Sequence, residues 1–416
     1  MSIIKKKYYR FISNFISGKK AYYQIVKELK RDGDPKYDLG SYTAIKMKPE
    51  ANKLIQRNLG KNFVNKNEYS EVTNIHDKLI KKIGVELLGA PDENQILGSS
   101  TVGSSEAIFL ALLAAKWHWK KKKLPGKPNV VFCSNAHLCW EKFARYLEID
   151  IREIPLQKYN ECPEDEIVNA IDTNTIIVVA ILGCTYLGLI DPVEKLHSSL
   201  EMLNEKNNWD VGIHVDAAIG GFITPYLSDN SLWDFRLSLV RSINLSSHKF
   251  GLVYPGLGWI IFKDKEYFSS DLSIQSNYLS GVSESFTINF SKSSSPIIAQ
   301  YFNFLHYGFN GYKEIMESCM DKTVYLSDRI NKTSIFDVVS EGKLPVVVFK
   351  FKKNPLFNEE NYTKQLRKRN WMLPYYQLSG KSNLTVMRIV VRSDMTKSFI
   401  KKMITDLVWA YESLNK

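Results

Sequence analysis

No stretch of the chain approaches the roughly 18 to 20 uninterrupted apolar residues that a membrane-crossing helix requires, so stable membrane insertion is not expected. The opening MSIIKKKYYRFISNFISG has a charged start, but Ser13 and Asn14 break its apolar run. No small-residue cleavage pattern follows, which argues against a signal peptide. Cysteine is sparse and odd in number: Cys133, Cys139, Cys162, Cys184 and Cys319, with no C-x-x-C and no paired-histidine spacing. That pattern argues against a zinc site or a disulfide framework and for reduced thiols in a cytoplasm. Neither a GK[ST] ending nor a G-x-G-x-x-G spacing occurs in the glycine-rich turn described below, which argues against nucleotides there. Internal repeats and low-complexity tracts are also missing.

Acidic residues are nearly absent from the first 31 positions, which hold nine Lys or Arg against one acid and so supply +8 of the formal +12. A charge concentrated in so short a segment is weak grounds for nucleic-acid binding, and none is expected. Tyr22, Ile25, Val26 and Leu29 fall on one helical face there. Such a basic amphipathic helix lies on a membrane surface, or packs on a partner subunit or on its own core with its lysines in water.

What the chain does contain is a regular alternation. At 416 residues it is long enough for one large core and a smaller domain. The runs NVVFCS (129 to 134), NTIIVVAILG (174 to 183), VGIHVDAAI (211 to 219), SINLSS (242 to 247) and GWIIF (258 to 262) read as buried strands, separated by helical stretches such as VEKLHSSLEMLNEK. Near-continuous apolar strands alternating with helices predict an α/β fold with a mostly parallel sheet covered on both faces. The last hundred residues differ: a long helix over about 311 to 331, strands at VVVFKF and TVMRIVV, and a closing helix predict a small α+β lobe.

Three motifs carry chemistry. In GSSTVGSSEAIFLALLAAKW (98 to 117) a turn rich in glycine and hydroxyls enters an apolar helix. Free backbone N–H groups at the helix start, with the Ser104 and Ser105 hydroxyls, make a cradle for a phosphate, although glycine and serine also merely start helices. In IHVDAAIGG, Asp216 stands at the C-terminal end of a strand, the edge where open α/β sheets bind ligands. A carboxylate there is costly unless it meets a cation or hydrogen-bond donors, and a structural cap is the plainer alternative. In SINLSSHKFGLVYPGLGW, Lys249 sits where the chain enters its core. Together these suit pyridoxal 5'-phosphate: a lysine amine for its aldehyde, a helix start for its phosphate, and a carboxylate to keep its ring nitrogen protonated as an electron acceptor.

The stretches TVGSSEA, CWEKFARY, REIPL, HVDAAIGGF, SINLSSHKFGLVYPGLGW, FTINFSKSSSPIIAQYFNFL and VMRIVVR resemble the glutamate decarboxylase family of group II pyridoxal-phosphate-dependent amino-acid decarboxylases, in order, from about residue 30 to 410. The resemblance implies PLP fold type I (aspartate aminotransferase-like), in a homodimer with active sites at the subunit interface. It implies a basic segment 1–37 packing on the partner subunit, a large cofactor domain 38–315 and a small domain 316–416. By the same resemblance Lys249 binds the cofactor covalently and Asp216 pairs with its ring nitrogen. Ser104, Ser105, Ser246 and His248 hold the phosphate, and Ser291 reaches it from the neighbouring subunit. Thr185 lies beside the cofactor and His137 stacks on the ring. Tyr278, in the polar loop QSNYLSGVSESF, hands a proton to Cα, and Arg392 holds the substrate α-carboxylate. Arg388, at the same strand parity, faces the same side or forms a surface ion pair.

Substrate choice rests on Ser41, Tyr42, Asn62 and Asn65, which match the positions that read a distal carboxylate. Asn62 agrees with the family. Asn65 stands where an aspartate is usual, and Ser41-Tyr42 replaces a Thr-Phe pair. The expected activity is therefore α-decarboxylation of an L-amino acid, with glutamate or a related acid favoured. The alternatives are a different amino acid (aspartate, cysteine sulfinate or an aromatic one) or a PLP-dependent lyase or decarboxylating oxidase.

Overall fold

The computed structural model describes residues 16–156, 161–227, 231–276, 283–353, 355–378 and 384–415. Its centre is a seven-stranded sheet: β1 (Leu97–Thr101), β2 (Asn129–Cys133), β3 (Asp150–Ile154), β4 (Thr175–Ile181), β5 (Gly212–Asp216), β6 (Val240–Ser246) and β7 (Gly258–Phe262), in the spatial order β1-β7-β6-β5-β4-β2-β3. β2, β4, β5 and β7 are buried along their whole length, as their near-continuous apolar sequences require. The five strands read from the apolar runs are all present.

β7 runs antiparallel to both neighbours, β6 and β1. The loop that joins β6 to β7 is too short for the crossover a parallel pair needs. Two strands of this sheet escaped the sequence reading. β1, LGSST, has almost no large apolar side chain, and β3, DIREI, is partly exposed along its length; both lie at the sheet's edges.

The helix Ser104–Lys121 packs across β4, β6 and β7. It ends in the lysine run at its C-terminus, where the helix dipole favours cations. The helix Val193–Asn207 closes on Asn208 in the left-handed conformation.

The predicted C-terminal helix is one long element, Ser295–Asn331, kinked at Gly308. Ahead of that helix β8 (Ile274–Ser276) and β9 (Ser283–Ser285) pair antiparallel, and beyond it β10 (Phe336–Val338), β11 (Val346–Phe351), β12 (Tyr375–Gln377) and β13 (Thr385–Val390) form an antiparallel sheet in the order β10-β11-β13-β12. Period-2 alternation gives this sheet two apolar faces. Val346, Val348, Val386 and Val390 join the core of the large sheet, whereas Val347, Phe349, Met387 and Ile389 join a second core with Trp371, Tyr362 and the closing helix Lys397–Leu414. Leu39 belongs to the second core, so the chain ahead of the large sheet is stapled to the C-terminal lobe.

The helix Gly18–Leu29 has no buried residue, and Tyr22, Ile25 and Leu29 are all more than half exposed. It does not pack on the core of its own chain. No helix among the described residues is long and apolar enough to cross a membrane.

Candidate active site

The C-terminal ends of β2, β4, β5 and β6, and of β1 (parallel to β6 through their shared neighbour β7), open on one cavity of about 310 Å³. Asp216 closes β5. Its side chain is 5% exposed and accepts three N–H bonds: Trp140 Nε1 to Oδ2 at 2.9 Å, Asn244 Nδ2 to Oδ1 at 2.9 Å and the Ala218 amide to Oδ1 at 3.2 Å. Three donors and no acceptor hold an ionised carboxylate in the interior.

The turn after β1 leads into the helix Ser104–Lys121. Ser104 Oγ accepts from Asn244 Nδ2 at 2.9 Å and from Ser246 Oγ at 2.8 Å, which turns the hydroxyl toward the cavity end of β6. Ser105 Oγ lies 3.1 Å from Cys139 Sγ. Gly258, at the start of β7, passes so close beneath this turn that a Cβ would sit 2.6 Å from the Gly103 carbonyl carbon and 2.8 Å from the Ser104 nitrogen. Only glycine lets the two backbones meet there.

Lys249 lies just past β6, in a turn where Gly251 crosses over Ser247 with room for no side chain. Gln300, Asn303 and Tyr312 of the long helix all donate to the Gly251 carbonyl, and Trp259 Nε1 donates to Ser247 Oγ at 2.7 Å. Burial lowers the Lys249 ammonium from 10.5 to about 8, and the nearby Arg388 adds to the fall against the opposing pull of Asp216. The neutral amine that attack on an aldehyde demands therefore forms at a lower pH than it does for an exposed lysine.

Of the residues expected at the cofactor, Ser104, Ser105, His137, Thr185, Asp216, Ser246, His248 and Lys249 all line this cavity. Hydrogen bonding to Cys139 raises the His137 imidazole, and burial followed by the Lys249 charge lowers that of His248. Tyr42 adjoins them: its ring lies 5.3 Å from Lys249 Nζ and 5.0 Å from the Arg388 guanidinium carbon, and its hydroxyl donates to the Thr185 carbonyl at 3.1 Å. Ser41 Oγ accepts the Thr43 amide at 3.1 Å, a bond that leaves its hydroxyl hydrogen able to donate. Asn62 and Ser291 meet each other, Nδ2 to Oγ at 3.0 Å, and Asn65 joins them through its amide to the Asn62 carbonyl. None of these three lines the cavity of its own chain. Tyr278 lies outside the described residues.

Arg392 departs from the expected placement. It is 3% exposed, its Nε donates to Asp394 Oδ1 at 2.9 Å, and its remaining nitrogens are taken by Asp394 Oδ2 and the carbonyls of Lys36 and Asp38. Four of its five N–H donors are thereby used, and Arg392 does not line the cavity. The parity argument fails because β13 ends at Val390, two residues short of Arg392, and the turn that follows at Ser393–Asp394 brings the Asp394 carboxylate onto the guanidinium. Arg388, still within the strand and on the same face as Val386 and Val390, points to the large domain instead. Its terminal nitrogens hold the carbonyls of Thr185 and Gly40, while its buried Nε has no partner.

Residues that sequence reasoning missed are Trp140, Asn244 and the cavity-lining Asn135. A signal for Asn244 existed: in SINLS the polar residues Ser242, Asn244 and Ser246 alternate with apolar ones, a polar row on a strand buried on both faces.

The donor set fits pyridoxal phosphate. An amine of lowered basicity, an ionised carboxylate and a hydroxyl-bearing helix start share one cavity, and Asn135 Oδ1 is a buried acceptor without a protein partner beside it. Fold and site together define an enzyme of the pyridoxal phosphate class. Residues 23–352 match the pyridoxal-dependent decarboxylase conserved domain. The chain is 42% identical over 400 residues to glutamate decarboxylase 2 of Arabidopsis thaliana, covering 94% of this chain and 81% of that one. It is 39% identical over 406 residues to glutamate decarboxylase beta of Listeria monocytogenes, covering 94% and 87%. The solved structure of Lactobacillus brevis CGMCC 1306 glutamate decarboxylase matches with a TM-score of 0.93 at 34% identity, over 97% of this chain and 94% of that one. The chain belongs to the pyridoxal-dependent decarboxylase family and is a pyridoxal-phosphate-dependent carboxy-lyase of fold type I.

Proposed function

We propose that the protein removes the α-carboxylate of L-glutamate, or of a closely related acidic amino acid, to give the amine and CO₂. The observation that carries the reading is that Lys249 and Arg388 both lie within 5.3 Å of the Tyr42 ring, which puts a cation beside the lysine. Arg388 takes the α-carboxylate role expected of Arg392: its unpartnered Nε is the donor a carboxylate needs beside the lysine. The bound cofactor supplies an electron sink for the bond that breaks at Cα. Lys249 anchors it, Asp216 keeps its ring nitrogen protonated, and His137 covers its face. Ser104, Ser105, Ser246 and His248 take its phosphate, with Thr185 at its edge. Tyr278 is assigned the return of a proton to Cα.

The preference for glutamate is supported by the 39–42% identity to relatives that bear that name. Asn62, Asn65 and Ser291 lie apart from the cavity of their own chain, which supports a homodimer in which they complete the partner's site, the first two at the substrate's distal carboxylate with Ser41 and Tyr42 opposite. The uncovered apolar face of the helix Gly18–Leu29 supports a segment 1–37 that packs on the second subunit, ahead of a cofactor domain 38–315 and a small domain 316–416. Five unpaired cysteines suit a reducing cytoplasm.

The test is a product screen with glutamate, aspartate, cysteine sulfinate and aromatic amino acids, with and without oxygen. Glutamate should release CO₂ and its amine in equal amounts without oxygen uptake. Faster turnover of another amino acid, or an aldehyde product that requires oxygen, overturns the assignment.

A further inference from the structure

Asp216 and Ser104 are assigned to different parts of the cofactor, the ring nitrogen and the phosphate, yet one side chain touches both. Asn244 Nδ2 donates to Asp216 Oδ1 and to Ser104 Oγ, each at 2.9 Å. An amide NH₂ has two hydrogens, so both are used. Its Oδ1 lies 2.7 Å from His214 Nε2, and His214 Nδ1 lies 2.7 Å from Ser242 Oγ.

These contacts permit one assignment of protons. A carboxylate only accepts, so the amide must present its nitrogen to Asp216 and its oxygen to His214. His214 then carries its hydrogen on Nε2 and accepts from the Ser242 hydroxyl on Nδ1. Ser242, His214 and Asn244 are fully buried, so water cannot replace any link. Burial also drives the imidazole down to about 4, which keeps it neutral and in that single tautomer near neutral pH. The parallel register β5–β6 builds the chain directly, setting His214 beside Ser242 and Asp216 beside Asn244.

We propose that Asn244 is a positioning residue, held in its bridging orientation by His214, that couples occupation of the phosphate cradle at Ser104 to the ring-nitrogen partner Asp216. Occupying either end fixes the shared amide and lowers the ordering cost at the other, which is positive coupling between two subsites. The proposal rests on the assignment of Asp216 and Ser104 to the cofactor.

The two ends are separated by splitting the cofactor. Binding of pyridoxal, which lacks the phosphate, to cofactor-free protein is measured by absorbance with and without inorganic phosphate. In the wild type, phosphate should tighten pyridoxal binding about fivefold or more. In Asn244→Ala the factor should fall to within about twofold of unity, with weaker binding of each ligand alone. Trp140→Phe removes a donor to Asp216 that is not on the bridge; it should weaken pyridoxal while leaving the factor intact, a distinction that general loosening of the fold does not produce. If Asn244→Ala does not fold, Ser242→Ala releases the His214 tautomer and should reduce the factor in part. Wild-type coupling retained in the foldable variant, equal loss in Trp140→Phe, or no coupling in the wild type overturns the proposal. Failure of pyridoxal to bind at all overturns the cofactor assignment, and the proposal with it.

Discussion

Replacing Lys249 by methionine should stabilise the cofactor-free protein while removing its covalent anchor. The folded chain carries this amine at about 8 against 10.5 when unfolded, chiefly because burial penalises the ammonium. At about 1.4 kcal/mol per tenfold, that difference corresponds to about 3 kcal/mol of destabilisation at pH 7, an upper figure because the side chain is not fully enclosed. Between about pH 8 and 10.5 the unfolded chain holds a proton that the folded chain has released, so wild-type stability rises with pH through that window. The penalty shrinks to about 1.5 kcal/mol near pH 9.5. Methionine, similar in length and without charge, escapes it at every pH. The assay is urea unfolding of both proteins, freed of cofactor, at pH 7 and 9.5. An advantage of the variant that is absent at pH 7, or that does not diminish at the higher pH, refutes a buried, destabilising amine.

Arg388→Gln should lower kcat/KM by a hundredfold or more, since loss of one partner of a buried charge pair costs about 2–5 kcal/mol, and should also lower the melting temperature because the Thr185 and Gly40 carbonyls lose their donors. Arg392→Gln should act on stability alone: the buried guanidinium loses its bonds to Asp394 and to the Lys36 and Asp38 carbonyls, which costs about 1–3 kcal/mol, and the KM of the folded enzyme stays unchanged. Steady-state kinetics beside thermal melts distinguishes the two arginines. Gly258→Ala should cost about 1–3 kcal/mol and weaken phosphate binding more than pyridoxal binding, because the added methyl meets the backbone of Gly103 and Ser104. Deleting residues 1–31 should weaken subunit association in sedimentation without changing the absorbance of bound cofactor.

Local pattern was enough for much of this protein. The apolar runs that became β2, β4, β5, β6 and β7 bury both faces, so their identity needed no partner to be read. Asp216 and Lys249 announced themselves because a charge beside an apolar strand is an expense that a chain retains for chemistry. Edge strands β1 and β3 carried no such signal: β1 is built of small polar residues even where it is buried, and β3 is partly exposed along its length.

The two arginines mark the division between sequence and tertiary structure. Both are visible in VMRIVVR, and the fourfold spacing puts them on one face of an extended strand. What Arg392 meets depends on the turn at Ser393–Asp394 and on the carbonyls of Lys36 and Asp38, which arrive from the other end of the chain. Likewise the type of Asn244 was legible, but its meeting with Asp216 and Ser104 was not. Periodicity along a strand determines which residues share a face; only the register between strands and the docking of distant segments determines what that face meets.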